Sequence, residues 1–378
     1  MCSTLSNPIY LKRNLVLIKK ILIIGPFSPP ITGVSICNDK ILDKIPKDYD
    51  FKVDYINTTV NSFSEKVGAF SVVKFIKQFV NYIYLYKIVK VEVVYLTIGQ
   101  TFFGVLKYAP FIYVAKLLNK RVIIHIHGNY LKTQYELLSG FKKKIFYRIL
   151  KKVDKGIVLS EKLKQNLTPF LSTQKIYVLP NYVENYLLEN TKEIITSKYK
   201  DQLRIVYLSN LMTEKGIFDL LKALEILQEQ KVKFSAKIAG NVDDKIKGEI
   251  LSRISNIKNC SYEGVVRGEK KKNLLCEANV FVFPTFYKME GQPISLLEAM
   301  ATGNIILTTN HAGISDVFSE QNGLFIRKNS PEDIVSKLKI VSDNLVKFEP
   351  VMSNNFNYIK TNFTEKIFLQ SLIKIVDA

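Results

Sequence analysis

Residues 280–307 read VFVFPTFYKMEGQPISLLEAMATGNIIL, and this stretch decides the fold. The apolar run Val280–Phe283 predicts a strand, the amphipathic run over 294–302 predicts a helix, and Asn304–Leu307 predicts the next strand. Apolar strands that alternate with helices are typical of a parallel sheet covered by helices on both faces.

The same alternation fills the rest of the chain in two series, separated by a polar stretch at 185–200 without a clear period. The other predicted strands are Ile21–Gly25, Lys52–Ile56, Glu92–Thr97, Arg121–Ile126, Gly156–Leu159, Ile176–Leu179, Arg204–Leu208, Lys233–Ala239, Ser261–Glu263 and Leu324–Ile326. The other predicted helices lie near 35–44, 69–90, 103–118, 133–152, 161–168, 216–230, 245–254, 269–277, 313–319 and 331–346. A last helix follows, with Thr364 as its N-cap.

This pattern predicts an α/β protein with two doubly wound parallel-sheet domains. The first is residues 1–184, joined by the last helix at 362–378; the second is residues 203–361, with residues 185–202 as the linker. Because ligands of open parallel sheets bind beyond the carboxyl ends of the strands, we expect a cleft lined by strand-end loops of both domains.

Charge is concentrated in the first half of the chain. The net charge is +20; residues 1–200 hold 31 Lys and Arg against 13 Asp and Glu, whereas residues 201–378 hold 23 against 21. A basic half predicts an anionic partner: a membrane surface, a phosphorylated substrate or nucleic acid.

The cysteines and the apolar runs indicate the setting of the protein. Cys2, Cys37, Cys260 and Cys276 form no CxxC pair, so we predict a reducing compartment and neither disulfides nor a zinc site. We expect no signal peptide at the start. Every apolar stretch of 18 residues contains a charge, which argues against a spanning helix.

Four strand-end loops carry candidate chemistry. Gly33 precedes a helix and lets backbone N–H groups approach an anion, although no GxGxxG dinucleotide fingerprint is present. His125 and His127 alternate onto one strand face; a metal would need a third ligand, and none is nearby in sequence, so no metal site is predicted. We expect His125 to be a hydrogen-bonded interior residue and His127 to lie at the cleft edge.

The other two loops belong to the second domain. Lys215 stands at a helix start, where a cation opposes the helix dipole unless it binds an anion. Glu290 lies in a loop and Glu298 in the helix that follows, among apolar neighbours. A carboxylate there needs a hydrogen-bond partner, and ligand hydroxyls are the natural one.

At these residues the sequence resembles the retaining, nucleotide-sugar-dependent glycosyltransferases of family 4, which have the two-Rossmann GT-B fold. The strongest element is the Glu-x7-Glu motif, Glu290 to Glu298. The supporting elements are Pro180-Asn181, Lys215-Gly216, Gly240, Gly264, Asn322-Gly323, the Gly33 loop and His127-Gly128.

The resemblance implies a role for each matching residue. Glu290 would bind hydroxyls of the donor sugar, Glu298 the ribose hydroxyls and Lys215 the diphosphate, while His127 would face the reacting sugar. Glu290, Lys215 and His127 form the implied catalytic set. The implied donor-binding set is Gly33, Asn210, Lys215, Gly264, Arg267, Glu290, Gly291, Gln292, Pro293, Ile294 and Glu298. Asn210 stands where the family often has Arg, and Arg267 is a candidate replacement.

The implied reaction transfers a sugar from a UDP- or GDP-sugar to an acceptor hydroxyl with retention. We expect no cofactor and no metal, because no Asp-x-Asp lies at a strand end; Asp243 and Asp244 are adjacent. The implied acceptor is a lipid-linked or other glycan in bacterial capsule, O-antigen or exopolysaccharide synthesis.

Residues 141–155 combine an apolar stripe with a flank of six cations, which predicts an interfacial amphipathic helix. The cations are Lys142, Lys143, Lys144, Arg148, Lys151 and Lys152, and the aromatic stretch Val72–Lys90 extends the surface. We predict a cytoplasmic protein, peripheral at the inner face of the cell membrane; the alternative is that the stripe packs on its own sheet and the cations are only solvated.

Three other classes of protein were weighed. A nucleic-acid-binding protein would explain the charge, but no recognition motif is present and the two glutamates would have no purpose. A nucleotide-sugar epimerase would share the architecture and act without an acceptor. A hydride-transfer enzyme is disfavoured by the missing glycine fingerprint.

Overall fold

The computed structural model describes residues 19–30, 32–59, 79–190, 193, 195, 198 and 202–378. Within these residues, twelve strands form two six-stranded sheets, and all pairings are parallel. The first sheet has the order β2-β1-β3-β4-β5-β6, with β1 Lys19–Gly25, β2 Phe51–Asn57, β3 Val93–Thr97, β4 Arg121–Ile126, β5 Lys155–Val158 and β6 Ile176–Val178. The second has the order β12-β11-β10-β7-β8-β9, with β7 Leu203–Leu208, β8 Phe234–Ala239, β9 Cys260–Gly264, β10 Val280–Phe283, β11 Ile305–Thr309 and β12 Gly323–Ile326.

The predicted fold class is confirmed, and each predicted strand lies within one or two residues of an observed one. In β1, Leu22 and Ile24 pack into one apolar cluster and Ile21 and Ile23 into another, so successive side chains bury both faces of the sheet. This two-sided burial is why the central strands are largely apolar, whereas the edge strands β2 and β9 carry exposed polar residues.

Twelve α-helices lie wholly within the described part of the chain. They are α1 Gly33–Asp48, α2 Phe102–Leu106, α3 Ala109–Leu117, α4 Leu131–Leu137, α5 Gly140–Leu150, α6 Ile217–Glu229, α7 Asp244–Asn256, α8 Gly268–Glu277, α9 Ile294–Ala301, α10 Pro331–Ser342, α11 Glu349–Asn362 and α12 Glu365–Asp377. No helix in these described ranges is long and apolar enough to cross a bilayer.

Several predicted helices differ from the observed ones. The helix predicted over 103–118 is two helices, because α3 begins anew with Pro110 in its first turn. The helix predicted over 133–152 is also two, since Leu138 and Ser139 are extended. The segments near 161–168 and 313–319 form short 3₁₀ helices, the helix over 331–346 ends at Ser342, and α11 was not predicted.

The prediction over 69–90 is only partly testable, because residues 60–78 lie outside the described ranges. In its described part, residues 79–82 are α-helical and Ile83–Lys90 form a 3₁₀ helix.

The last helix packs on the first sheet, as its amphipathic pattern predicts. Phe368 and Leu372 share an apolar cluster with Ile21 and Ile23 of β1. Thr364 caps the helix by accepting a hydrogen bond from the Ile367 N–H at 3.3 Å.

Cations hold the other end of this helix. Arg121 donates to the Val376 carbonyl at 2.8 Å and Lys155 to the Ile375 carbonyl at 2.7 Å. These cations stand at the amino ends of β4 and β5, where they meet the negative end of the helix dipole. The chain therefore crosses back from the second domain and closes on the first.

Candidate functional site

A cleft of about 570 Å³ lies between the carboxyl ends of the two sheets. The first domain contributes Gly33 and His127 to its walls, and the second contributes loops after β7, β8 and β10. The structure brings together, in this one cleft, Gly33, His127, Asn210, Lys215, Arg267, Glu290, Gly291, Gln292, Pro293, Ile294 and Glu298. Gly264 does not line it; the adjacent Val265 and Val266 do.

Lys215 and Glu290 form a buried ion pair in the second-domain wall. The Lys215 Nζ lies 2.5 Å from the Glu290 Oε2, and their side chains are 13% and 8% exposed. The Thr285 hydroxyl donates to the same carboxylate oxygen at 3.2 Å. The ammonium also lies 4.9 Å from the centroid of the Tyr287 ring. The aromatic face and the carboxylate together stabilise the charge that water would otherwise hydrate.

Gly216 explains how Lys215 reaches this position. Lys215 ends a short 3₁₀ turn, and Gly216 follows with φ +78° before α6 begins. A Cβ on Gly216 would lie 2.3 Å from the Pro284 carbonyl oxygen, so only glycine lets the turn after β7 approach the end of β10. This close approach sets Lys215 beside the loop that carries Glu290.

Within the protein, the partner of Glu298 is a lysine. Its buried carboxylate, in the second turn of α9, accepts a hydrogen bond from the Lys271 ammonium, which also lies 3.4 Å from the Glu184 Oε2. Burial alone would lower the pKa of Lys271, but the charge and hydrogen bond of Glu298, together with Tyr186 and Glu184, outweigh burial and the net pKa is raised. Lys271 therefore stays protonated.

Sequence reasoning missed Lys271. The run Lys270-Lys271-Lys272 was predicted to be helical, but the three residues are alike in type and only packing shows which one reaches Glu298. The signal that could have indicated a lysine was the apolar surroundings of Glu298, because a buried carboxylate requires a hydrogen-bond partner.

The two domains touch beside these ion pairs. Asn181 donates from its backbone to the Gln292 Oε1 at 2.6 Å and from its side chain to the Gln292 carbonyl at 2.8 Å. A Cβ on Gly291 would lie 2.4 Å from the His127 carbonyl oxygen. Gln292 thus binds the domains together, and its neighbour Gly291 permits the close approach.

Asn210, which stands where the resembled family often has an arginine, and Arg267, the candidate replacement, are in different settings. Asn210 lines the cleft. Arg267 lines it too but is exposed, at the start of α8. Lys271, one turn further along α8, is buried and lies closer to Glu298 than any cation proposed from the sequence.

The histidines are placed as predicted, but with an additional neighbour. His125 is buried, with its Nδ1 2.5 Å from the Tyr95 hydroxyl, and His127 lines the cleft. Burial lowers the pKa of His127 to about 3, so its ring is neutral at pH 7. Cys37 of α1 lies beside both rings. Sequence reasoning missed Cys37 because it is far from the two histidines along the chain.

The predicted interfacial helix is wrong in its apolar face. Phe146, Ile149, Leu150 and Val153 are buried in the core of the first domain, because this face covers the first sheet. Of the six predicted cations, Lys143 is half-buried against the Tyr135 ring. The exposed ones are Lys142, Lys144, Arg148, Lys151 and Lys152.

An apolar surface nevertheless remains beside these cations. Phe141 is 74% exposed and Leu137 is 69% exposed, at the junction of α4 and α5. Within the stretch Val72–Lys90, the described part exposes Phe79, Val80, Ile83, Tyr84, Tyr86 and Val89.

Comparisons with known proteins give a family match for part of the chain and a match for the fold. Residues 189–355 match the family described as Glycosyl transferases group 1. Over 287 residues the chain is 26% identical to an uncharacterized glycosyltransferase of Methanocaldococcus jannaschii, and the alignment covers 71% of each protein.

A second relative is the amylovoran biosynthesis glycosyltransferase AmsK of Erwinia amylovora. It is 25% identical over 181 residues, which are 46% of this chain and 44% of AmsK. Among solved structures, Anabaena HepE in complex with UDP and glucose superposes with a TM-score of 0.71 at 12% identity, covering 95% of this chain and 100% of HepE. The match establishes the GT-B fold.

Proposed function

We propose that the chain is a retaining glycosyltransferase of the family 4 type, because residues 189–355 match the Glycosyl transferases group 1 family and the chain has the GT-B fold. It transfers a hexose-type sugar from a nucleoside diphosphate sugar to an acceptor hydroxyl. The observation that carries the proposal is the presence of two buried ion pairs, Lys215–Glu290 and Lys271–Glu298, in one cleft. They supply cations for phosphate and carboxylates for sugar and ribose hydroxyls.

Donor binding exchanges the partners of the first pair. The diphosphate takes the ammonium of Lys215, and the freed Glu290 carboxylate accepts hydrogen bonds from hydroxyls of the donor sugar. Glu298 accepts from the ribose hydroxyls beside Lys271. Backbone N–H groups at the start of α9, from Ile294 onward, face the phosphate oxygens, because the first turn of a helix leaves its donors unpaired.

The chemical step proceeds on one face of the sugar. The bond from the anomeric carbon to the phosphate oxygen breaks, the acceptor oxygen bonds to the same face, and the acceptor proton passes to the leaving phosphate. Lys215 and the helix N-terminus stabilise the charge on the leaving diphosphate. No divalent metal or other cofactor takes part, and the donor is a UDP- or GDP-sugar; the structural neighbour HepE was crystallised with UDP.

The acceptor is a lipid-linked glycan of bacterial polysaccharide synthesis, met at the inner face of the cell membrane. Two observations support this part of the proposal: AmsK is named for amylovoran biosynthesis, and the first domain exposes Leu137 and Phe141 next to five exposed cations. Apolar side chains enter the interface while the cations meet anionic headgroups.

The test is a panel of UDP- and GDP-sugars incubated with the protein and a lipid-linked acceptor extract. We expect one donor to be consumed and its sugar to appear on the acceptor, in the presence of EDTA as well as in its absence. Conversion of the donor without an acceptor would indicate an epimerase. Activity lost in EDTA and restored by Mg²⁺ would contradict the metal-free step.

A further inference from the structure

We propose that Cys37, His125 and His127 form a binding site for a thiophilic divalent ion, Zn²⁺, in the first-domain wall of the cleft. The Cys37 Sγ and a ring nitrogen of each histidine all lie within 4.8 Å of one another. The three ligands come from two elements that the fold brings together, since Cys37 belongs to α1 and the histidines to β4 and the residue after it.

His125 and the residue just after the strand, His127, point to the same side. Residues two apart on a strand point to the same face, and the centroids of the His125 and His127 rings are 4.0 Å apart. Zn–N distances of about 2.0–2.1 Å and a Zn–S distance of about 2.3 Å set the ligand atoms of a tetrahedral site roughly 3.3–3.7 Å apart. Side-chain rotations of an ångström or so therefore complete the site.

The ring nitrogens have no other use among the described residues. The Nε2 of His125 and both ring nitrogens of His127 are buried without a hydrogen-bond partner there. Buried polar atoms without partners are costly and uncommon. His125 is 0% exposed, so a sugar in the cleft cannot satisfy its Nε2, whereas an ion held between the three side chains can.

A supporting residue is already in place. The Tyr95 hydroxyl lies 2.5 Å from the His125 Nδ1, and when that Nδ1–H donates to the tyrosine oxygen, the lone pair of Nε2 is free for a metal. Metal-bound histidines usually have their second nitrogen held in this way. Tyr95 is thus the positioning residue of the site.

The donor set selects the ion. One thiolate and two imidazoles favour Zn²⁺ over Mg²⁺ or Ca²⁺, which prefer oxygen ligands, and three protein ligands leave a fourth position for water. Burial raises the pKa of the Cys37 thiol, so the free site holds the S–H form. Binding replaces the S–H bond with an S–Zn bond and releases the proton to solvent.

This inference does not depend on the proposed transfer reaction. The three ligands belong to the first domain, whereas Lys215, which is proposed to meet the diphosphate, belongs to the second. A metal here would not stabilise the leaving group in place of Lys215.

The test is metal binding by the full chain, purified without a polyhistidine tag and stripped with a chelator. Co²⁺ is the spectroscopic probe: we expect one tetrahedral Co²⁺ per chain with a sulfur-to-cobalt charge-transfer band, displaced by stoichiometric Zn²⁺. Cys37→Ser should abolish the band and weaken Zn²⁺ binding at least about tenfold. Tyr95→Phe should weaken it without removing the band.

The other cysteines provide matched controls. Cys2→Ser, Cys260→Ser and Cys276→Ser should each keep the band and the affinity. If Cys37→Ser fails to fold, His127→Asn, at a partly exposed position, decides the matter by the loss of tetrahedral cobalt. Absence of the band in the unsubstituted protein, or its persistence in both Cys37→Ser and His127→Asn, would overturn the proposal.

Discussion

Replacement of Lys215 by Met separates the structural role of its ion pair from its proposed catalytic role. The substitution keeps most of the length of the side chain but removes its charge. The Glu290 carboxylate stays buried, and the Thr285 hydroxyl still donates a hydrogen bond to it. Removing one partner of a buried pair costs about 3–5 kcal/mol. Because this pair opens on a cleft, we take the lower end, about 3 kcal/mol.

This loss is measurable as a change in thermal stability. A loss of about 3 kcal/mol lowers the Tm by about 4 °C if the whole chain unfolds as one unit, and by more if the second domain unfolds alone. The second effect is on catalysis: loss of the cation at the leaving diphosphate is expected to lower kcat by about 10²–10³-fold.

The double variant Lys215→Met with Glu290→Gln distinguishes the two effects. It leaves no buried charge unpaired, so calorimetry should show most of the lost stability restored, while transfer stays at or below the low rate of the single variant. A double variant no more stable than Lys215→Met would refute the coupled pair. Unchanged kcat in Lys215→Met would remove Lys215 from the leaving-group site.

Three further predictions follow from other parts of the structure. Lys271→Met should weaken binding of the donor nucleotide about tenfold, or about 1.4 kcal/mol, because Glu298 loses the ammonium that holds it. Calorimetric titration with UDP and GDP measures the affinity, and Lys270→Met is the exposed neighbouring control. Equal affinities in the two variants would contradict the prediction. Gly216→Ala should lower both stability and kcat, because the φ of Gly216 is +78° and an added Cβ would lie 2.3 Å from the Pro284 carbonyl oxygen. Gly264→Ala is the control for backbone strain alone, because Gly264 has φ +67° and an added Cβ would have nothing within 4 Å. Equal losses of Tm in the two variants would show that the close approach to Pro284 does not matter. Replacing Lys142, Lys144 and Arg148 by Gln should weaken binding to anionic vesicles, measured by flotation, about 100-fold, at roughly 1 kcal/mol per cation. The same change at Lys245, Lys247 and Lys258 of the second domain should have little effect. Vesicle binding that is unchanged by the first triple substitution would contradict the proposed membrane-binding surface.

The fold was predictable because both sheets are buried on two faces. The central strands of such sheets are largely apolar, and runs such as Val280–Phe283 and Val122–Ile124 show this directly in the sequence. The helix ends were less predictable. The break between α4 and α5 occurs at Leu138 and Ser139, in a segment whose helical periodicity continues across it.

The candidate site was predictable where a residue type conflicts with its position. A lysine at a helix start and a glutamate among apolar helix residues both required a charged or polar partner, and Lys215 and Glu298 both line the cleft. Partners distant in sequence were not predictable. Neither Lys271 nor Cys37 differs from its neighbours until the chain folds, because periodicity records which face is buried and not which side chains meet.

The apolar face predicted for the interfacial helix was wrong for the same reason. An amphipathic stripe looks alike whether it covers a sheet or a bilayer, and Ile149 and Leu150 cover the sheet. Only the structure shows that Leu137 and Phe141 remain exposed beside the cations.

The most direct test of the central claim is the stereochemistry of transfer, followed by proton NMR with the UDP- or GDP-sugar that the panel selects. The account predicts that the first product carries the sugar in the anomeric configuration of the donor, and that Glu290→Gln slows its formation at least about 100-fold while the Tm stays within a few degrees. A first product with inverted configuration, or a Glu290→Gln variant as fast as the unsubstituted protein, would contradict it.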